Sequence, residues 1–266
     1  MSKSVFRSDI FDGKVAFVTG GGSGICKGIT RALMAHGASS VIVGRKADRL
    51  AEAAKQLEAE TGKPCLAVPC DVRDPAAVKA AIDQALARFG RLDVVVNGAA
   101  GNFLAPAAQL SPNGFRTVIE IDTIGTFHVC RAAFDAYLRE HGGVVLNVSA
   151  TLHLAATPLQ IHASAAKAAI DSMTRSFALE WAGMGIRVVG VAPGPIDETE
   201  GMSRLAPGDL KQKMEAAIPI GRFGTIDEIA DVSVFLCSDA ARLVHGVTLV
   251  ADGGAWFGMG RAIFAG

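Results

Sequence analysis

Short apolar runs alternate with amphipathic stretches along the whole chain, and this alternation constrains the fold more than any other feature. The runs predict seven strands, at Lys14–Thr19, Ser40–Val43, Cys65–Pro69, Leu92–Asn97, Gly143–Val148, Ile186–Val191 and Val247–Val250. The stretches between them predict helices, among them Ala47–Glu60, Pro75–Phe89, Gly114–Arg139, Ala163–Trp181 and Ile226–Ser238. Because the strands are almost wholly apolar, we expect both of their faces to be buried. The sequence therefore predicts an α/β fold: a single doubly wound (Rossmann) domain over residues 1–266, with a seven-stranded parallel sheet and helices on both faces.

Composition excludes several classes of protein. Half of the residues are apolar and 20% are charged, which is typical of a chain with a large core. Lys plus Arg and Asp plus Glu both number 26, so no net charge attracts the chain to nucleic acid or to an anionic membrane. No apolar run is long enough for a membrane span, and the N-terminus does not resemble a signal peptide. Five scattered cysteines without metal-site spacing predict free, buried thiols in a reducing compartment.

A glycine-rich turn follows the first predicted strand. Residues 19–26 read Thr-Gly-Gly-Gly-Ser-Gly-Ile-Cys and lead into a helix. Such a turn lets backbone N–H groups approach a pyrophosphate, and the helix N-terminus favours the negative charge. We therefore predict that a dinucleotide is bound here by Gly20, Gly22, Ser23, Gly24 and Ile25.

The end of the second strand predicts which dinucleotide is bound. Arg45 and Lys46 stand where an acidic residue would contact a free ribose 2′-hydroxyl, and two cations would instead pair with a 2′-phosphate. This favours NADPH over NADH, with a solvent-exposed strand end as the alternative interpretation. Further cofactor contacts are predicted at the ends of the third and fourth strands, from Asp71, Val72, Asn97 and Ala99.

Four features together resemble the short-chain dehydrogenase/reductase family. They are the glycine turn, Asn97-Gly98-Ala99-Ala100, Lys167 and Pro193-Gly194. The resemblance implies that Lys167 holds the nicotinamide ribose, and that Pro193, Gly194 and Ile196 contact the cofactor. The chain departs from the family at the tyrosine four residues before this lysine, where it has Ala163. Its single tyrosine, Tyr137, lies in another helix, and the family's serine position is Ala150, next to Ser149.

Within that family, several blocks resemble the peroxisomal-type 2,4-dienoyl-CoA reductases, which also lack the tyrosine. The blocks lie at residues 99–104, 121–127, 149–152, 160–169, 192–196 and 250–256. The resemblance implies NADPH-dependent reduction of a 2,4-dienoyl-CoA to a 3-enoyl-CoA in the oxidation of unsaturated fatty acids. The substrate would be a fatty acyl-CoA thioester, and the enzyme a homotetramer. The apolar segment Val247–Phe264, with Trp256, Phe257 and Phe264, is aromatic enough to form an interface.

Conjugate addition of hydride places negative charge on a thioester oxygen and needs a proton at carbon, so a different set of residues is predicted to act. Asp122 stands where the family has an asparagine, and it would pair with Lys167 and hold a proton-relaying water; a purely structural ion pair is the alternative. Ser149 and His153 are further catalytic candidates, and His162 is a weaker one. Asn102 and Phe103 are predicted to contact the substrate, although Phe103 could equally be a packing residue.

Two other functions stay open at this point. One is a reductase of simple 2-enoyl-CoA thioesters, which needs the same oxyanion stabilisation. The other is a catalytically silent NADP-binding sensor or partner, which the missing tyrosine favours and the intact Lys167 and Asp122 oppose. We expect a cytoplasmic protein, with peroxisomes as the alternative, because the final residues Phe264-Ala265-Gly266 do not match a Ser-Lys-Leu type of signal.

Overall fold

The structure is a computed structural model that describes residues 4–199 and 209–257. Its centre is a sheet of seven strands: β1 (Val15–Thr19), β2 (Ser39–Gly44), β3 (Cys65–Pro69), β4 (Val94–Asn97), β5 (Gly143–Val148), β6 (Ile186–Pro193) and β7 (Thr248–Ala251). All six neighbouring pairs are parallel, in the order β3-β2-β1-β4-β5-β6-β7. The predicted doubly wound sheet is confirmed. Strands are added in one direction from β1 to β3 and in the other from β4 to β7, so the strand order reverses between the neighbours β1 and β4. In such folds ligands bind at the carboxyl ends of the strands that flank this reversal.

Helices cover both faces of the sheet. They are α1 (Gly24–Ala35), α2 (Ala47–Thr61), α3 (Pro75–Phe89), α4 (Pro112–Val118), α5 (Gly125–Ala133), α6 (Arg139–His141), α7 (Ile161–Trp181), α8 (Asp209–Ala217) and α9 (Ile226–Cys237). The predicted helix Gly114–Arg139 is α4, α5 and α6 joined end to end through two π-helical segments, Ile119–Ile124 and Phe134–Leu138. Short 3₁₀ turns occur at Thr151–His153, Ala182–Met184 and Asp239–Ala241.

Alternate residues of each strand point to opposite faces of the sheet and bury against different helices. Phe17 and Val95 pack with side chains of α3, α5 and α7. Ala16, Val18 and Val94 pack on the other face with side chains of α1 and α9. Burial on both faces explains why the strands carry almost no polar residues.

Side-chain caps fix the start of α3 and α9. Asp74 accepts hydrogen bonds from the backbone N–H groups of Ala76 and Ala77 at the start of α3. Thr225 and Glu228 form a reciprocal capping box at the start of α9. Capping satisfies N–H groups that have no partner within the helix, so these caps fix where each helix begins.

The sequence predictions about cysteines and membrane spans can be compared with this structure. All five cysteines are buried and free. Within residues 4–199 and 209–257, no helix has the length and apolar character to span a bilayer. The expected irregular stretch from Pro193 to Pro207 begins at the last residue of β6, and its residues 200–207 lie outside the described part of the chain.

Candidate active site

Two adjoining cavities open at the carboxyl ends of the strands around the reversal point. The first, which we call the nucleotide cavity, measures about 360 Å³ and is lined by Gly20, Gly22, Ser23, Val43, Gly44, Arg45, Lys46, Arg49, Leu50, Cys70, Asp71, Val72, Ala99, Ala100 and Ile121. The second, the catalytic cavity, measures about 540 Å³ and is lined by Gly20, Ser23, Gly24, Ile25, Cys26, Arg49, Gly98, Ala100, Gly101, Asn102, Asp122, Val148, Ser149, Ala150, Leu152, Ala163, Lys167, Glu198 and Thr199. Four residues line both cavities, so the two form one continuous groove.

The glycine turn brings bare backbone to the floor of this groove. Gly20 has a φ of +72°, and a Cβ there would lie 2.9 Å from the Gly98 carbonyl oxygen. A Cβ on Gly21 would lie 2.6 Å from Cγ2 of Ile42. Ser23 precedes α1 without capping it, so the first N–H groups of the helix keep their capacity to bind an anion. This backbone fits the pyrophosphate of a dinucleotide.

Three cationic side chains line the nucleotide cavity. Arg45 and Lys46 line it, as does Arg49, which the sequence analysis missed. Arg49 lies in the first turn of α2, shortly after Arg45 and Lys46 in the sequence, so a third cation close behind that pair was the signal that could have found it. These cations fit a terminal phosphate on the adenosine ribose.

Asp71 and Val72 line the same cavity from the loop after β3. Nη2 of Arg73 lies 2.5 Å from Oδ2 of Asp71. This hydrogen bond lowers the pKa of Asp71, and the charge of Arg45 lowers it further. Asp71 therefore lines the cavity as a carboxylate that is already paired.

Asp122 and Lys167 form an ion pair at the base of the catalytic cavity. Nζ of Lys167 lies 3.3 Å from Oδ2 of Asp122. It also donates a hydrogen bond of 3.0 Å to the Val148 carbonyl, while Oδ1 of Asp122 accepts one of 2.7 Å from the Gly101 N–H. Both side chains are at least nine-tenths buried. The contact predicted from the sequence is therefore present, with Oδ2 of Asp122 lacking a hydrogen-bond donor among the described residues.

The π-helical segment Ile119–Ile124 carries Asp122 to this position. Such segments insert an extra residue into a helical turn and are frequent at functional sites. Thr123 contacts the Ala166 carbonyl of α7 at 3.5 Å, and a Cβ on Gly125 would lie 2.5 Å from Cγ2 of Val72. The segment is thus packed between α7 and the loop that lines the nucleotide cavity.

Burial and charge oppose each other at Asp122. Burial raises the pKa of its carboxyl. Lys167, the Gly101 N–H and, more weakly, His162 act in the opposite direction. The net effect is a raised pKa, which is characteristic of groups that exchange protons during catalysis.

Ser149, Ala163 and Asn102 complete the walls of the catalytic cavity. Oγ of Ser149 is buried and has no hydrogen-bond partner among the described residues. Ala163 offers only a methyl group where the family has its tyrosine. Nδ2 of Asn102 donates to Oε1 of Gln160 at 2.6 Å. The cavity therefore contains a free hydroxyl and an amide near the Asp122–Lys167 pair.

Three other candidates lie outside the lining of this cavity. Phe103 is 41% exposed and its ring lies 4.3 Å from the ring of His162. His162 is fully buried, and burial lowers its pKa. His153 contacts Asp171 of α7, with Nε2 2.8 Å from Oδ2. The structure thus brings Asp122, Lys167, Ser149 and Asn102 together, but does not bring His153 into the same cavity.

Some residues that were predicted to contact the cofactor also do not line the groove. Asn97 is buried beneath it, and its Nδ2 donates to Oδ1 of Asn147 at 2.9 Å. Pro193 is the last residue of β6 and Gly194 follows it, and a Cβ on Gly194 would lie 2.5 Å from Cβ of Asp252. Ile196 is buried and forms a bridge with Gly224. Glu198 and Thr199, two and three residues further on, line the catalytic cavity instead.

A larger cavity of about 660 Å³ lies between α1 and α9. It is open and lined mainly by charged side chains, among which Arg31 is paired with Asp227. It lacks a buried polar pair like Asp122–Lys167, which makes the groove the better candidate for the active site. Within the described ranges, no three side chains of the His, Cys, Asp and Glu types are grouped so as to hold a metal ion.

Comparison with known proteins gives a consistent result along almost the whole chain. A family model described as enoyl-(acyl carrier protein) reductase matches residues 20–255. The peroxisomal 2,4-dienoyl-CoA reductase of Rattus norvegicus, named as producing (3E)-enoyl-CoA, is 51% identical over 253 residues, which are 95% of this chain and 87% of that protein.

More distant relatives include bacterial proteins. A probable 2,4-dienoyl-CoA reductase of Bacillus subtilis, named as producing (2E)-enoyl-CoA, is 38% identical over 91% of this chain and 96% of its own length. The solved structure of a citronellol catabolism dehydrogenase from Pseudomonas aeruginosa is 36% identical, with a TM-score of 0.84 over 95% of this chain and 99% of that one.

Proposed function

This chain belongs to the short-chain dehydrogenase/reductase family, and on that premise we propose that it reduces 2,4-dienoyl-CoA to 3-enoyl-CoA with NADPH. The observation that carries the proposal is the buried Asp122–Lys167 pair beside Ala163 in the catalytic cavity. The family's ketone chemistry needs a tyrosine at position 163, whereas conjugate reduction of a thioester does not. The names of the relatives support the same reaction in the oxidation of unsaturated fatty acids.

The reaction determines what the site must supply. When bound, the nicotinamide cofactor supplies a hydride to C5 of the dienoyl thioester. The two electrons move through the conjugated system and leave negative charge on the thioester oxygen as a dienolate. A proton delivered to the α-carbon then gives the 3-enoyl product, whereas a proton delivered to C4 gives the 2-enoyl product. Since no proton needs to reach a ketone oxygen, an alanine at position 163 is compatible with turnover.

We assign roles to the residues that line the catalytic cavity. Lys167 has three N–H donors, of which one is bound to the Val148 carbonyl and one faces Asp122, so the third remains for the nicotinamide ribose hydroxyls. Asp122 holds the water that brings a proton to the α-carbon, and the positive charge of Lys167 makes that water a better acid. The free hydroxyl of Ser149 and the amide of Asn102 donate to the thioester oxygen, where negative charge develops.

Family membership implies a nicotinamide cofactor, and we propose NADPH in particular. The support is the group of cations that line the nucleotide cavity: Arg45, Lys46 and Arg49. We expect Arg45→Ala/Lys46→Ala to raise the KM for NADPH by about tenfold or more, through loss of one or two charge-assisted contacts. The KM for NADH should hardly change. Equal losses with both cofactors would show that the two cations are structural.

A reductase of simple 2-enoyl thioesters is the second candidate, favoured by the description of the matching family model. Both candidates are tested by NADPH consumption with 2,4-hexadienoyl-CoA, crotonyl-CoA and a simple ketone. We expect the dienoyl thioester to be the best substrate and the ketone to be inert. Faster turnover of crotonyl-CoA would favour the second candidate. Binding of NADPH without turnover of either thioester would indicate a silent sensor.

We further propose that the enzyme is a cytoplasmic homotetramer. Trp256 and Phe257 are 38% and 63% exposed after β7, and exposed aromatic side chains are enriched at protein interfaces. Phe264, the third aromatic residue of the predicted interface, lies outside the described residues. Five buried free thiols are consistent with a reducing compartment. Peroxisomes are the alternative location, since the rat relative is named as peroxisomal.

A further inference from the structure

A buried contact behind the catalytic cavity joins three elements of the fold. Nε2 of His153, in the 3₁₀ turn Thr151–His153, lies 2.8 Å from Oδ2 of Asp171 in α7. The other carboxylate oxygen of Asp171 accepts a hydrogen bond of 3.0 Å from Oγ1 of Thr248 in β7. The side chains of His153 and Asp171 are 16% and 8% exposed. A buried carboxylate requires partners, and here one of the two is the imidazole.

The turn that carries His153 forms a wall of the catalytic cavity. Ser149, Ala150 and Leu152 line that cavity. The Leu152 carbonyl accepts hydrogen bonds of 3.2 Å from Oγ of Ser164 and from Oγ1 of Thr157. His153 is thus the side chain through which this wall contacts Asp171.

The position of Asp171 on α7 explains why this contact affects the site. Ala163, Lys167 and Asp171 are spaced four residues apart, so they lie along one face of the helix. Ala163 and Lys167 line the catalytic cavity, and Asp171 follows one turn further on. The same helix face therefore presents the catalytic lysine to the cavity and holds the turn beside it.

We propose that His153 is a positioning residue, which fixes the turn Thr151–His153 against α7 and thereby holds Ser149 and Leu152 at the wall of the substrate site. This rests on the proposed function for its effect on turnover. His153 does not line the catalytic cavity, and its Nδ1 is buried without a hydrogen-bond partner among the described residues. It therefore acts through the turn, and the sequence-based candidate becomes a positioning group instead of a proton donor.

Three variants separate positioning from simple stability. His153→Ala removes the contact with Asp171, and we expect the KM for 2,4-hexadienoyl-CoA to rise about tenfold, because displacing a contact residue by about 1 Å is costly. The dissociation constant of NADPH should stay within about twofold, since the nucleotide cavity is unaffected. His153→Gln retains a donor and should restore most of the KM. His141→Ala, at an exposed histidine that packs on Tyr137, is the matched control.

Amide hydrogen exchange of residues 149–157 provides a readout that needs no substrate. We expect faster exchange there in His153→Ala and normal exchange in His153→Gln and His141→Ala. If His153→Ala does not fold, Thr248→Val tests the same network more mildly, because it removes only the hydrogen bond from Thr248 to Asp171. It should change the exchange rate and the KM for the dienoyl thioester in the same direction as His153→Ala.

The two proposals fail in different ways. Unchanged exchange in both His153→Ala and Thr248→Val would overturn the positioning role. Faster exchange with an unchanged KM for the dienoyl thioester would also overturn it, because the contact would then be merely structural. If the wild-type protein turns over no dienoyl-CoA, the proposed function fails, whereas unchanged exchange in the variants of a protein that does turn it over defeats only the role of His153.

Discussion

The Asp122–Lys167 pair is buried in the catalytic cavity next to polar atoms that are not fully hydrogen-bonded, and a purely structural ion pair would not require such atoms. Asp122 is almost fully buried and loses hydration, while Lys167 and the Gly101 N–H restore only part of that stabilisation. Within the described residues, Oδ2 of Asp122 has the Lys167 ammonium at 3.3 Å but no well-aligned hydrogen bond, and Oγ of Ser149 has no hydrogen-bond partner. Buried polar groups are normally satisfied, so these atoms point to a ligand or an ordered water as the missing partner.

Substitution of Asp122 tests this interpretation. We expect Asp122→Ala to lower kcat for 2,4-hexadienoyl-CoA by about a hundredfold or more, which is the usual effect of losing a proton-transfer group. NADPH affinity, measured by fluorescence titration, should change little. Lys167→Ala should impair both, since we propose that Lys167 binds the ribose and also supports the relay. Wild-type turnover in Asp122→Ala would exclude the relay.

Restoring the family's tyrosine is the complementary test. We expect Ala163→Tyr to leave dienoyl-CoA turnover the same or lower it, because Ala163 lines the catalytic cavity and a phenol would fill space needed by the acyl chain or its water. Stopped-flow reduction rates at saturating NADPH provide the measurement. Faster reduction by this variant would contradict the explanation given above for the missing tyrosine.

A close packing contact beside the glycine turn gives a prediction about the stability of the fold. A Cβ on Gly98 would lie 2.1 Å from Sγ of Cys26, so Gly98→Ala should destabilise the fold by about 1–3 kcal/mol. Cys26→Ala removes the obstructing sulfur, and the double variant should recover part of the loss in chemical denaturation. Cys65→Ala, at a buried cysteine in β3, is the control that should give no recovery. Additive effects of Gly98→Ala and Cys26→Ala would show that the two sites are not coupled.

Among the elements, α9 is held at its N-terminus by a charged capping box. Glu228 accepts hydrogen bonds from the Thr225 N–H at 2.8 Å and from Arg222 at 2.6 Å. These contacts, the Arg222 hydrogen bond foremost, lower the pKa of Glu228 to about 2. Gly224, just before the cap, forms the bridge to Ile196 near the mouth of the catalytic cavity. The cap therefore supports the segment that leads to Glu198 and Thr199.

The lowered pKa of Glu228 predicts a pH-dependent stability. A carboxyl with a lowered pKa stabilises the fold above its unfolded pKa of about 4.3, and this contribution is lost as the pH falls towards 2. Glu228→Gln should therefore cost on the order of 1 kcal/mol at pH 7, since the pair with Arg222 is half-exposed and contributes little beyond the cap. Thermal unfolding from pH 7 to pH 3 should show the difference from wild type shrinking, with Glu60→Gln as an exposed control. A difference that does not vary with pH would contradict this role.

Most elements could be predicted from the sequence because burial on two faces leaves a continuous apolar run. β3, β5 and α3 have the predicted bounds. Each of the other strands differs from its predicted bounds by one or two residues at one or both ends. The π-helical segment that carries Asp122 could not be predicted, since one extra residue in a turn barely changes the apolar spacing.

The site was less predictable than the fold. Motifs located the glycine turn, Arg45, Lys46 and Lys167, because those positions depend on local chain geometry. The contact between His153 and Asp171 joins residues that are distant in sequence, and nothing in the local pattern signals it. Phe103 and Ile196 lie in sequence blocks that predict contacts with ligands. The ring of Phe103 packs against His162 and the side chain of Ile196 against Gly224, and neither lines the groove.

For the whole molecule, the sheet and its two helical layers leave β3 and β7 as edge strands. Exposed apolar side chains flank β7, namely Leu243, Val247, Trp256 and Phe257. Several such side chains together on a charge-neutral protein are typical of an interface between subunits. The catalytic groove, by contrast, is lined by residues of α1, α2, α7, the π-helical segment and the ends of several strands within one chain.

Assembly can be tested without reference to activity. We expect light scattering at micromolar concentration to give the mass of a tetramer. Trp256→Ser/Phe257→Ser should shift that mass downwards, because it removes two exposed aromatic contacts. Val5→Ser, at an exposed apolar side chain outside this group, should not. A wild-type monomer would exclude the proposed assembly.

The fate of the transferred hydrogen tests the central claim most directly. Reduction of 2,4-hexadienoyl-CoA with NADPH deuterated at the transferred position, followed by NMR of the product, locates both new C–H bonds. We predict cofactor deuterium at C5, a solvent proton at the α-carbon and a double bond at C3. Cofactor deuterium at C3, or a product whose double bond remains at C2, would contradict the proposed reduction to 3-enoyl-CoA.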